Sequence, residues 1–254
     1  MPTPAVGSAS PSRLPDSFRV TPNSYALLHS PLTGPGAWGQ LPILLRESGH
    51  GTVVINVHDD DEAPFAERYL TRAAAQISTT QPAPPMIFVA HSGAGPLLPP
   101  VAASVSDDQG PPGGYVFLDA GIPRTGNPSR LDLLREEDEG LATEFLDSLE
   151  AGARFPMWTV DELTDIVPNL QDRVDLVKSL RPRGRDFFTE PLPPLDDWPD
   201  APCGYLRTSA AYDHWVRVAE QRGWPVVHRD LGHFAALANP EATLNALLEL
   251  TARM

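Results

Sequence analysis

One stretch constrains this chain more than any other. The apolar run Met86-Ile87-Phe88-Val89-Ala90 stops abruptly at His91-Ser92-Gly93-Ala94-Gly95, and Pro96 opens the next segment. A run apolar at every position predicts a strand buried on both faces rather than at an edge. Passing from such a strand into a helix within a few residues leaves no room for large side chains around the pivot. Ala90 and Ala94, two positions either side of Ser92, meet that need. A turn of this kind lifts the serine hydroxyl clear of the sheet and turns backbone N–H groups toward a developing oxyanion. The pattern G-x-S-x-G is met loosely, with alanine at both glycine positions. The bland reading of Ser92 is an N-cap of an ordinary helix.

The rest of the chain supports a parallel sheet. Apolar runs predict strands at 25–29, 53–57, 86–90 and 115–118, with two later ones at 204–207 and 225–228. Amphipathic segments at 38–47, 65–77, 95–105 and 213–222 predict the crossovers, and Pro240 opens a last helix over 241–253. Strand alternating with helix predicts α/β architecture: a mostly parallel sheet of about six strands flanked by helices. Residues 125–200 interrupt this rhythm with acidic pieces of helical spacing at 141–149, 163–170 and 174–180, and with the cluster Pro191-Leu192-Pro193-Pro194. They predict a helical cap inserted after the fourth strand. The expected organisation is a flexible tail at 1–20, a core at 21–124 and 201–254, and the cap at 125–200.

Composition removes several classes of function. A net charge of −14 over 254 residues argues against a nucleic-acid partner. Cys203 is the only cysteine, so neither an internal disulfide nor a cysteine-based zinc cluster can form. The first 20 residues lack the apolar centre of a signal peptide, and no apolar run approaches the roughly 20 residues needed to span a bilayer. A cytoplasmic location without membrane association is expected, as is a monomer or homodimer.

The second chemical signal is Leu231-Gly232-His233-Phe234, between the last expected strand and the last helix. A histidine there can reach back to a serine at the carboxyl end of the sheet and act as general base. Together with the serine turn and with His29-Ser30-Pro31-Leu32-Thr33-Gly34-Pro35-Gly36-Ala37-Trp38, it resembles the α/β-hydrolase superfamily over about residues 24–254. The resemblance is nearest to small esterases and hydroxynitrile-lyase-like members. It implies the α/β-hydrolase fold and a cofactor-free enzyme without a metal, acting on a small-molecule carbonyl substrate. Ser92 would be the nucleophile and His233 the base, with Gly93 and the loop of Ser30, Pro31 and Leu32 around the oxyanion. Hydrolysis of an ester, thioester or lactone is the first expectation. Elimination, C–C cleavage or cyclisation with the same Ser/His pair is the second, and a ligand-binding receptor without turnover is the third.

Two departures bear on the mechanism. The acid that orients the histidine usually follows the strand before the last, where Arg207-Thr208-Ser209-Ala210-Ala211-Tyr212-Asp213 holds an alanine at the expected position. Asp213 lies slightly later, and Asp119 ends the fourth strand in Phe117-Leu118-Asp119-Ala120-Gly121. Either carboxylate could hold the imidazole, with Asp119 the first choice. The second departure is Pro31, which stands where a backbone N–H commonly serves the oxyanion and has none to give. Leu32 could take over, the site could work with one donor fewer, or Ser30 could offer its hydroxyl.

Three further features carry bland readings. His58-Asp59-Asp60-Asp61-Glu62 is expected to be a solvated acidic turn rather than a metal site, and His91 to be structural. Phe155, Met157 and Trp158 either line an apolar pocket or pack the cap helices together.

Overall fold

A computed structural model describes residues 23–58, 61–195 and 197–254. The tail expected at 1–20 lies outside the described residues, as do Asp59 and Asp60 of the acidic turn.

Six parallel strands form one sheet: β1 (Ser24–Leu28), β2 (Gly51–Ile55), β3 (Met86–Ser92), β4 (Gly114–Ala120), β5 (Cys203–Arg207) and β6 (Val226–His228), in the order β2-β1-β3-β4-β5-β6. The helices outside the β4–β5 connection are α1 (Leu41–Glu47), α2 (Phe65–Thr80), α3 (Leu98–Ala103), α4 (Ser106–Gln109), α9 (Asp213–Gln221), α10 (Ala235–Ala238) and α11 (Pro240–Thr251). Side chains alternate across a strand, so the apolar run of β3 feeds two cores. Phe88 and Ala90 pack with Tyr69 and Ile77 of α2, Val101 of α3 and Trp215 of α9. Ile87 and Val89 pack on the opposite face with Leu41 and Leu45 of α1 and Leu247 and Leu250 of α11. Truncating the fully buried Phe88 to alanine is expected to cost about 3–5 kcal/mol, because the cavity adds to the lost transfer energy.

The strand order reverses direction between β1 and β3, the place where open α/β sheets bind ligands at the carboxyl ends of their strands. Leu28 of β1 pairs with Ala90 of β3, so His29-Ser30 and His91-Ser92 leave the sheet side by side. On the other flank of β3 the register slips: His91 is opposite Leu118 but Ser92 is opposite Ala120. Asp119 is the extra residue of this bulge and holds φ 38°, a left-handed value uncommon for a non-glycine residue.

Between β4 and β5 lie α5 (Arg130–Glu137), α6 (Glu139–Glu150), α7 (Leu170–Ser179) and α8 (Arg185–Thr189). α5 begins with a reciprocal cap: Ser129 accepts from the Asp132 N–H, and Asp132 accepts from the Ser129 N–H. The helical spacing at 163–170 forms no helix; residues 160–166 are turns. Pro168 gives the physical reason, since its ring excludes the α conformation for Val167 and removes a donor. The insertion is tied to the sheet layer at defined points. The Glu190 carboxylate accepts from the N–H groups of Phe65 (2.7 Å) and Ala66 (3.0 Å) and so caps α2, whose own N-cap is Pro64. Leu32 O accepts from Arg181 N at 2.9 Å.

Candidate active site

Ser92 ends β3 with φ 56°, a strained left-handed conformation for a side-chain-bearing residue. The close approach of β3 and β4 explains the glycine that follows in the turn. A Cβ on Gly95 would lie 2.0 Å from the Gly121 carbonyl oxygen, so no side chain fits there. The expected continuous helix at 95–105 is broken into a 3-10 turn, Gly95–Leu97, and then α3 and α4, in a stretch that carries Pro96, Pro99 and Pro100.

His233 sits in the loop after β6, with its side chain 21% exposed. Its Nδ1 faces Asp119 Oδ2 at 3.5 Å, longer than an ideal hydrogen bond. Contacts of this kind commonly tighten once substrate is bound and charge develops. Asp119 is completely buried and accepts four hydrogen bonds from the end of β5. Thr208 N and Ser209 N donate to Oδ1 at 2.7 and 3.3 Å, and the Thr208 and Ser209 hydroxyls donate to Oδ2 at 2.8 and 2.7 Å. Burial works to raise this carboxyl, but the contact with His233 and the Ser209 and Thr208 donors outweigh it. Its pKa is held below the ordinary aspartate value.

Asp213 is elsewhere. Its Oδ1 accepts from Arg207 Nε at 2.9 Å, and its side chain is 50% exposed. The structure thus brings Asp119, and not Asp213, to His233. The bulge turns Asp119 inward, whereas the start of α9 points Asp213 toward a cation at the surface.

His91 packs its ring against that of His233, with centroids 4.6 Å apart, and its Nε2 donates to the His233 carbonyl oxygen at 2.8 Å. Burial, then the neighbouring His233, keep the His91 pKa well below the usual value, so the ring is neutral. Tyr212, which the sequence motifs did not single out, lies parallel to His233 (centroids 5.0 Å apart, planes 6° apart), and its hydroxyl is 3.3 Å from Ser92 Oγ. An aromatic residue following Ala210-Ala211, where the sequence offers no acid, was the available signal.

The loop after β1 is held from several sides. His29 Nδ1 donates to Ser30 O (2.8 Å), His29 Nε2 accepts from Val57 N (3.2 Å), and the Tyr69 hydroxyl donates to His29 O (2.7 Å). Burial lowers the His29 pKa to about 4, so this ring is also neutral. Leu32 N–H, one expected oxyanion donor, instead donates to Ser30 Oγ at 3.2 Å. That bond leaves the Ser30 hydroxyl its own hydrogen to donate. Ser30 Oγ adjoins Gly93, coming within 3.0 Å of where a Cβ would stand. Pro31 O accepts from Arg183 Nη2 at 3.3 Å.

Trp158 packs edge-on against Phe234, the neighbour of His233, at 5.9 Å and against Phe155 at 5.5 Å. Phe155 continues to Phe145. Met157 is 67% exposed and is not part of this aromatic row. Two open clefts of about 340 and 320 Å³ adjoin the insertion near Asp61, and neither is lined by Ser92 or His233. Of the acidic turn, Asp61 pairs with Arg183 and Arg154. Among the described residues no group of three or more His, Cys, Asp or Glu could hold a metal ion, and no helix is long and apolar enough to cross a membrane.

Comparison with known proteins agrees with this fold. The model of the "Alpha/beta hydrolase family" matches residues 25–246. No curated protein matches the chain. Among solved structures, an extracellular alpha/beta-hydrolase from a Paenibacillus species, described as sharing structural and functional homology with tobacco salicylic acid binding protein 2, superposes with a TM-score of 0.68 at 16% identity, covering 90% of this chain and 99% of that one. Polyneuridine aldehyde esterase gives 0.67 at 15% identity over 91% and 100%. Tomato methylketone synthase I with 2-tridecanone gives 0.65 at 15% identity over 92% and 99%. At these identities the likeness establishes the fold.

Proposed function

The chain belongs to the alpha/beta hydrolase family, and within it we propose a serine hydrolase that cleaves an ester, thioester or lactone of a small apolar substrate. The observation that carries this reading is a chain of contacts: Tyr212 touches both Ser92 and His233, and His233 faces Asp119. Ser92 stands strained at the end of β3, His233 comes from the loop after β6, and the buried Asp119 lies on the adjoining strand with its carboxylate at His233 Nδ1. Ser92 Oγ attacks the carbonyl carbon while His233 takes the hydroxyl proton. Asp119 fixes the tautomer with Nδ1 protonated and stabilises the imidazolium. The Gly93 N–H and the Ser30 hydroxyl receive the oxyanion, a role Pro31 and Leu32 do not fill. Collapse expels the leaving group with the proton from His233. Water activated by the same imidazole then releases the acid.

Trp158 and Phe234 give the site an apolar wall, which supports a small apolar acyl or alcohol group. The single, buried Cys203 supports a cytoplasmic location, and the reading includes a monomer or homodimer with no nucleic-acid partner and no cofactor.

The direct test is intact-mass analysis after treatment with a fluorophosphonate. One adduct on wild type and none on Ser92→Ala is expected. Well-folded wild type that takes up neither this probe nor a smaller organophosphate would count against a nucleophilic serine. Pro31 supports a second reading, in which His233 acts as base in a lyase or cyclase step and Ser92 only positions substrate. Efficient ester turnover through a covalent Ser92 intermediate would remove it.

A further inference from the structure

Tyr212 stands at the reaction centre without a part in the serine–histidine–acid scheme. It ends the 3-10 turn Ala210–Tyr212 between β5 and α9. Its hydroxyl is 3.3 Å from Ser92 Oγ, and its ring lies flat against His233. The sheet order fixes which side of the serine it occupies. β1 carries Ser30 on one flank of β3, whereas β4 and β5, which precede Tyr212, lie on the other. Ser30, beside Gly93, thus lies in the loop on one flank of β3, and Tyr212, stacked on His233, in the loop on the other. Burial, with the charge of Asp119 assisting, raises the phenol above its ordinary range despite the bond to Ser92. The hydroxyl keeps its proton at neutral pH and has it to donate; in the free enzyme either oxygen of the pair can be the donor.

In the free enzyme the Tyr212 hydroxyl already bonds the Ser92 hydroxyl at 3.3 Å, so this contact gains little as Oγ attacks. The ester oxygen of an acyl-enzyme is a poor acceptor, and the bond strengthens as that oxygen is released. In the second half of an acyl-transfer cycle the leaving atom is Ser92 Oγ itself. We propose that Tyr212 is a catalytic residue of deacylation: its hydroxyl hydrogen-bonds Ser92 Oγ as the acyl–Oγ bond breaks. The proposal rests on the serine-hydrolase reading. Water adds to the acyl carbon, giving its proton to His233, and the carbonyl electron pair moves onto the oxyanion. On collapse the C=O bond re-forms, the C–Oγ bond breaks, and His233 returns its proton to Oγ. Tyr212 keeps its own proton and serves the transient charge on Oγ. Hydrogen bonds to charged groups contribute about 1.5–3 kcal/mol, which corresponds to roughly 10–100-fold in the rate of this one step.

The test is stopped-flow hydrolysis of p-nitrophenyl butyrate by wild type, Tyr212→Phe and Ser92→Ala. Phenylalanine keeps the ring against His233 and removes only the hydroxyl. The phenylalanine variant is expected to show a burst of p-nitrophenol, to accumulate butyryl-Ser92 by intact mass, and to lose at least about tenfold in kcat. KM should fall with kcat, leaving kcat/KM within about threefold of wild type, because the bond is present both in the free enzyme and as Oγ attacks. A merely structural tyrosine would lower kcat/KM without acyl-enzyme accumulating, and that result overturns the proposal, as does an unchanged kcat. If Tyr212→Phe fails to fold, 2,3-difluorotyrosine at 212 keeps the shape and strengthens the donor. Faster deacylation is then expected, and an unchanged rate overturns the proposal. Wild type that releases no p-nitrophenol beyond Ser92→Ala defeats the hydrolase reading itself, and this step with it.

Discussion

Asp119 and Asp213 flank the same strand, β5, yet they live in opposite environments. Asp119, on the neighbouring strand, is sealed from water, receives two N–H and two O–H bonds, and faces His233. Asp213, at the start of α9, is half exposed and bonded to Arg207, which also reaches Asp230. A buried carboxylate needs every lone pair matched, and a site that matches them also fixes its direction. A surface carboxylate beside an arginine is screened and loosely directed. The contrast shows that nearness along the chain to the usual acid position says less about a catalytic acid than what anchors it.

The widest separation between the two should be in catalysis. Asp119→Asn is expected to lower kcat by about 10³–10⁴-fold on p-nitrophenyl butyrate, whereas Asp213→Asn stays within about threefold. Equal losses would erase the comparison. A transplant sharpens it: Ala211→Asp added to Asp119→Ala should restore less than about a tenth of activity, because position 211 is exposed to water. Recovery to wild-type rates would show that the acid's address is free. Thr208→Val removes one hydroxyl donor from a buried carboxylate. By urea denaturation it should cost about 1.5–3 kcal/mol, whereas the exposed pair lost in Asp213→Asn is worth under about 1 kcal/mol.

The smallest effect is in acid stability. Because folding holds the Asp119 pKa below its unfolded value of about 4, its contribution to stability is present above that pH. The contribution is lost as pH falls through the depressed folded value. Wild type should therefore lose stability below about pH 4 more steeply than Asp119→Asn. Parallel curves would mean that this carboxylate is not held ionised by the fold.

The sheet was legible because the first four runs are nearly continuous in apolar residues; the two later segments also became strands, and the edge strands β2 and β6 are only partly buried. Ser92 and His233 were legible from small residues around a pivot and from their order along the chain. Asp119 was the first choice over Asp213 from its place at a strand end, but what aims it is a register slip opposite His91-Ser92, and residue identities carry no mark of a one-residue bulge. Leu163 to Leu170 has helical spacing, but one proline outweighs the periodicity. The engagement of Leu32 N–H by Ser30, the exposure of Met157 and the place of Tyr212 depend on how loops from different strands converge. A pattern read along one segment does not contain that information.

The bulge has a consequence for engineering. Ser92 and Asp119 belong to one unbroken stretch from β3 to the end of β4, and the whole helical insertion enters only afterwards. The spacing of Ser92 and Asp119 is thus laid down by the pairing of β3 with β4 before the insertion begins. Exchanging helices of the insertion while keeping Arg181, Arg183 and Glu190, which bond it to the loop after β1 and to α2, would leave that distance where the sheet puts it.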